Sequence, residues 1–183
     1  NGFRNLGKDN EDEEAVTFDH NRHHIYIGNE DTSTIEEFDA LNGQRLNRHA
    51  ISEFVRRGIS NRTIESLTYD PSADCLYTCD EGPLRGDPGQ MVTIVKLSPS
   101  LDEQAYYTYV MDDPLSEVKI GDNHHAFGVA ELLALGDGTL LVLEREFLVA
   151  PAGIGSWVVN KIFRFKPGSQ DKQYITGWRT QLN

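Results

Sequence analysis

Three glutamates open three segments of the same design. Glu14 begins the run Glu-Ala-Val-Thr-Phe-Asp, Glu65 begins Glu-Ser-Leu-Thr-Tyr-Asp, and Glu131 begins Glu-Leu-Leu-Ala-Leu. Each run meets a polar or glycine-rich turn and then a second run that closes on acidic residues: His24 to Glu30, Cys75 to Glu81, and Leu140 to Glu146. Carboxylates brought to one place repel one another, which raises their proton affinity or recruits a hard cation, and an all-oxygen donor set suits Ca²⁺ or Mg²⁺. On this reading Glu14, Glu65 and Glu131 are metal ligands. The competing reading is architectural: a glutamate repeated in every segment can simply accept backbone N–H bonds from its neighbour. Arg62 and Arg145 are the cations nearest these acids in sequence. A guanidinium there can fork onto a substrate phosphate or pair with a carboxylate. His125 leads into the third segment with His124 beside it, while His20, His23 and His24 gather at a turn. Adjacent histidines on a strand point to opposite faces, so neither group has the spacing of a metal site.

Elements of one kind can carry these residues. Each glutamate starts an alternating strand that turns back into a second, and two further strand-like runs follow each hairpin: Thr34 to Asp39 and a weak one near Arg45, Met91 to Leu97 and Ala105 to Met111, Val158 to Lys166 and Gln173 to Thr176. Four antiparallel strands recurring about every 50 to 65 residues mark a propeller blade. The expected fold is therefore an all-β propeller, a single domain over residues 1–183 with three four-stranded blades at roughly 13–50, 63–112 and 126–177. A β-sandwich also uses short strands and frequent turns, but it does not call for a repeated Glu-led hairpin. If the first strand of each blade lines the channel, the three glutamates meet near one mouth. Ala50 to Arg57 reads as a short helix with Ile51, Phe54 and Val55 on one face. Closed propellers have about four to eight blades, so three are expected to belong to a larger ring, with the missing blades of the same chain as partners.

Composition excludes several functions. Lys and Arg number 17 against 29 Asp and Glu, a formal net charge of −12. Such a chain repels phosphate backbones, which argues against nucleic acid as a partner. No stretch approaches the ~20 apolar residues of a membrane helix, so no transmembrane segment is expected. Cys75 and Cys79 lie four apart in one strand, on one face but too far apart to bridge. Gly153-Ile-Gly-Ser156 lacks nucleophile-elbow spacing, and no phosphate-cradling Gly-Lys-Ser/Thr loop is present. Residues 9–14 lack the alternating ligands and central glycine of an EF-hand.

Several stretches resemble the phytase-like, or "esterase-like activity of phytase", family of β-propellers. Asn61-Arg62-Thr63-Ile64-Glu65-Ser66-Leu67 is similar to that family's Asn-Arg-Gly-Phe-Glu-Gly-Leu element, and Asp80-Glu81-Gly82-Pro83-Leu84 to its acidic-Glu-Gly-Pro-Leu. The run from Glu131 to Arg145, a Glu-Leu-Leu-Ala-Leu hairpin closing on Leu-Glu-Arg, is the most specific match. Thr63 and Ser66 stand where the family has glycine, as does Ala15 after Glu14, and these residues resist positive φ. Trp178 to Asn183 looks like a link into a further blade. The resemblance implies an exported, periplasmic or extracellular hydrolase that acts on a small phosphate ester or other anionic ester with Ca²⁺. It implies Glu65, Glu131 and Arg145 as catalytic residues, Arg62 and His125 as substrate contacts, and Glu14, Glu65 and Glu131 as metal ligands. The alternative is a non-catalytic propeller used for binding or as a structural module.

Overall fold

A computed structural model describes residues 12–116, 125–150 and 155–182. Twelve strands form three four-stranded antiparallel sheets, each built in sequence order. The first holds β1 (Glu13–Asp19), β2 (His24–Asn29), β3 (Thr34–Asp39) and β4 (Arg45–Ala50). The second holds β5 (Ile64–Asp70), β6 (Cys75–Asp80), β7 (Met91–Leu97) and β8 (Glu103–Val110). The third holds β9 (His125–Ala134), β10 (Leu140–Leu148), β11 (Ser156–Phe165) and β12 (Lys172–Leu182). These are three propeller blades, with β1, β5 and β9 innermost. The third blade extends further than its sequence pattern suggests: β12 runs to Leu182, so Trp178 to Leu182 pair with β11 rather than leaving the blade as a link. Helix α1 (Ser52–Arg57) joins the first two blades. Ile51 and Phe54 are buried there, but Val55 faces solvent, so the apolar face is narrower than expected. Among the described residues no helix is long and apolar enough to cross a membrane.

Strand alternation sends the two faces of the middle blade into different cores. Leu67, Tyr69, Leu76, Val95 and Leu97 pack against Ala15, Tyr26 and Ile35 of the first blade, with Ile51 and Phe54 closing the seam. Cys75, Tyr77, Cys79 and Ile94 pack against Phe127, Val129, Leu132, Leu140 and Val142 of the third. Both cysteines are free and buried.

A bulge in each innermost strand sets the register. Glu13 pairs with Asn29 and Ala15 with Gly28, leaving Glu14 unpaired. Ile64 pairs with Asp80 and Ser66 with Cys79, leaving Glu65 unpaired. In the third blade Val129 pairs with Glu144 and Glu131 with Leu143, so the unpaired residue is Ala130. The contacts between blades keep the same count. Three residues past the bulge, Thr17 Oγ1 accepts the Tyr69 N–H at 3.1 Å and Thr68 Oγ1 accepts the Ala134 N–H at 3.0 Å, each donor lying four past its own bulge. Glu14 and Glu65 are therefore equivalent, while Glu131 is equivalent to Ala15 and Ser66. The expected equivalence of Glu131 is off by one residue, and one residue reverses the face.

The same register explains the exposed apolar residues of the first blade. Leu67 and Tyr69 are 3% and 6% exposed against the blade before them, whereas their equivalents Val16 and Phe18 are 69% and 37% exposed. None of Ala15, Thr63 and Ser66 takes a positive φ, so the absence of glycine there strains nothing; the left-handed residue of that region is Asn61, at φ 58°.

Candidate functional site

The bulges lift Glu14 and Glu65 out of their ladders at the head of β1 and β5. A bulge re-aims a side chain and leaves its residue free of strand pairing. The residue that follows each second strand joins them: Glu30 after Asn29, Glu81 after Asp80 and, at the matching place in β10, Arg145 after Glu144. Blades one and two thus deliver acids at this position and blade three a guanidinium. Arg62, in the loop ahead of β5, completes the group.

Glu30 is buried, and its Oε1 accepts the Thr63 N–H at 2.9 Å while its carbonyl oxygen accepts the Thr63 hydroxyl at 2.7 Å. Arg62 lies against Glu81, with 3.3 Å between Nε and Oε2, and donates from Nη2 to the Phe127 carbonyl at 2.6 Å. Two glycines make that contact possible. A Cβ on Gly82 would stand 2.4 Å from Arg62 Nη2, and one on Gly128 would stand 2.6 Å from the Glu81 carbonyl oxygen. Arg145 reaches Glu65 across the second seam at 3.2 Å, and its side chain remains 41% exposed.

The acids perturb one another. Burial, and then the charge of Glu81 ahead of those of Glu30 and Glu14, raises Glu65 to about 7, with Arg145 acting against the rise. Burial likewise raises Glu30 to about 7, the Thr63 N–H opposing it and Glu81, Asp12 and Glu14 adding to it. Burial also pushes Glu81 up, against Arg62 and Arg145, and Asp12 pushes Glu14 up. The site therefore gathers carboxyls of raised proton affinity beside one partly open guanidinium. Such a set can pass a proton, orient a water molecule and receive an anion.

Three expected site residues lie elsewhere or serve another purpose. Glu131 is exposed and accepts the N–H of its own neighbour Leu132 at 3.0 Å, and it joins none of the mutual repulsion among the other acids. His125 is buried against Glu146, with 2.8 Å between Nε2 and Oε1, and Glu146 also accepts the N–H groups of Leu115 and Ser116 at 2.8 and 2.9 Å. Glu146 fastens the segment after β8 to the third blade, and the His125 side chain is buried beside it. Arg62 is held by Glu81 and Phe127 rather than offered to a ligand. His124 lies outside the described residues. Of the turn histidines, His24 bonds Glu37 at 2.7 Å and His20 packs edge-on to Phe18.

Of the three expected calcium ligands, Glu14 and Glu65 lie in this cluster and Glu131 does not. Among the described residues no three His, Cys, Asp or Glu side chains converge as metal ligands, and Arg62 and Arg145 supply the positive charge among the acids. Glu30 and Glu81 are the members of the cluster that sequence reasoning overlooked.

Three antiparallel four-stranded blades with a shared acid–guanidinium cluster at the head of their innermost strands define a β-propeller. The family model for phytase-like proteins, described as "esterase-like activity of phytase", matches residues 3–180, and the chain belongs to that family. Among curated proteins none matches it. Of solved structures, the WD40 repeats of RRP9 share 12% identity over 94% of this chain and 53% of that one, with a TM-score of 0.50. Hydrazine synthase of Kuenenia stuttgartiensis shares 11% over 95% of this chain and 53% of that one, at 0.48. Hsv2 of Kluyveromyces lactis shares 9% over 93% and 48%, at 0.40. The likeness to RRP9 speaks for the fold alone. The chain spans about half the length of these structures.

Proposed function

We propose that the cluster is the acid–base and anion-holding site of a phytase-like hydrolase acting on phosphate esters. The observation that carries the reading is Glu65: it sits at a bulge, its carboxyl is raised to about 7, and it lies 3.2 Å from a guanidinium that still faces solvent. A carboxyl with that proton affinity can protonate a leaving alkoxide or take a proton from an attacking water at neutral pH. Arg145 offers its fork to the phosphoryl oxygens and steadies the charge that builds on them, while Arg62 keeps Glu81 in place. The substrate contact expected of Arg62 passes to Arg145.

Turnover of p-nitrophenyl phosphate, followed beside p-nitrophenyl acetate, tests the reading. Glu65→Gln and Arg145→Ala should each lower kcat/KM by about a hundredfold or more, the scale of a lost acid–base or charge-stabilising group. Glu131→Gln, outside the cluster, should cost far less. The assay runs with chelator and again with Ca²⁺, and turnover that appears only with calcium would return the cation to the site. Absence of turnover on either ester would leave the non-catalytic binding module as the better account.

A further inference from the structure

We infer that Glu30 is the positioning residue for Glu65, acting through Thr63, so that the active carboxyl on the second blade is aimed by a buried acid on the first. The inference rests on the assignment of Glu65 as the acid–base group. Thr63 lies two residues ahead of the Glu65 bulge, and all three of its polar groups are engaged. Its N–H goes to the Glu30 carboxylate Oε1 at 2.9 Å, its hydroxyl to the Glu30 backbone carbonyl at 2.7 Å, and its own carbonyl oxygen accepts the Glu81 N–H at 2.9 Å. Ser33 also reaches the Thr63 hydroxyl, at 3.2 Å. The residue entering the bulge is therefore clamped between the two acids that end the second strands of blades one and two. Ile64 then pairs with Asp80, and Glu65 leaves the ladder at the bulge.

The second seam is built differently: there Glu81 accepts the Val129 N–H at 2.9 Å through its backbone carbonyl rather than its carboxylate. Gly128 occupies the place of Thr63 and has no hydroxyl, Glu81 bears on it directly, and the bulge residue that follows is Ala130, which has no carboxyl to aim. Of these two seams, the one whose bulge carries an acid is the one in which a carboxylate holds the residue two before it. Ordering a catalytic group within a fraction of an ångström is worth orders of magnitude in rate.

Two measurements on the full chain test this, one of them independent of catalysis. In hydrogen exchange, the Thr63 amide should exchange about tenfold faster or more in Glu30→Ala than in wild type, while Glu30→Gln, which keeps an oxygen acceptor, should restore most of the protection. In ester turnover, Glu30→Ala should lower kcat by about tenfold or more with KM little changed, because the anion contact at Arg145 is untouched, and Glu30→Gln should recover most of that loss. Thr63→Val, which removes only the hydroxyl, should fall between them, and Thr63→Ser should rescue it. Unchanged Thr63 exchange in Glu30→Ala overturns the inference. So does a loss in KM rather than kcat, or a Glu30→Gln variant as impaired as Glu30→Ala. If wild type turns over no ester but the exchange pattern holds, the clamp stands and the hydrolase assignment falls.

Discussion

Stability should fall as pH rises through neutrality, which is the reverse of a protein stabilised by ion-paired acids. Glu30 and Glu65 are both raised from an ordinary 4.5 to about 7 in the folded chain, burial being the largest cause for each. A group that binds its proton more tightly when folded contributes stability that is fully present below its unfolded pKa and is lost as pH climbs through its folded pKa. For these two the window runs from about 4.5 to about 7. At about 1.4 kcal/mol per pKa unit, each shift corresponds to roughly 3 kcal/mol before screening. The site is open to solvent on one side, and the repulsion between the two acids must not be counted twice, so we take about 3 kcal/mol for the pair together. Below the window the opposite type of group takes over: Asp74, held at about 2 by Arg22 and then by Tyr69, gives stability that disappears only in stronger acid. The most stable condition should therefore lie near pH 4.5. Urea unfolding at about pH 5 and about pH 7.5, at fixed ionic strength, should show the drop, and Glu30→Gln or Glu65→Gln should each remove a substantial part of it. Because a net charge of −12 also disfavours the compact state as pH rises, the variants decide the matter. Equal slopes in wild type and both variants would refute the reasoning, as would stability that rises over this interval.

Two further expectations follow from close approach and register. Gly128→Ala would place a Cβ 2.6 Å from the Glu81 carbonyl oxygen and 2.7 Å from its Cγ, and since backbone cannot swing aside, the variant should lose about 1–3 kcal/mol by thermal or urea unfolding. A loss below about 0.5 kcal/mol would mean that the seam is looser than drawn. Leu67→Ala and Val16→Ala remove equivalent side chains, one buried in the first seam and one in water; the former should cost about 2–5 kcal/mol and the latter less than about 0.5. Similar costs for the two would mean that the Val16 face is covered in solution.

The repeat was legible because its hairpins alternate apolar and polar residues and turn on Asp, Pro and Gly; its weakest elements were hidden for a physical reason. β4 is polar almost throughout and β12 is exposed along most of its length, as outermost strands can be, so neither carries a strong period. The site was half legible. Glu65, Arg62 and Arg145 lie in the stretches that resemble the family, and the structure gathers them, but aligning the third segment on its glutamate moved it by one residue. Counting back from the turn avoids that slip: Asp19 and Asp70 close their strands five residues past Glu14 and Glu65, and Leu135, before the Gly136 turn, is five past Ala130. With that register the second strands align as Asn29-Glu30, Asp80-Glu81 and Glu144-Arg145, and the exchange of acid for arginine becomes visible in the sequence itself. That exchange explains why the cluster can form at all. Were blade three to carry a glutamate there, five acids would meet with Arg62 as their nearest cation, and the self-repulsion would have to be relieved by protonation or by a metal. Arg145 relieves it within the chain through its pairing with Glu65, while leaving part of its guanidinium exposed.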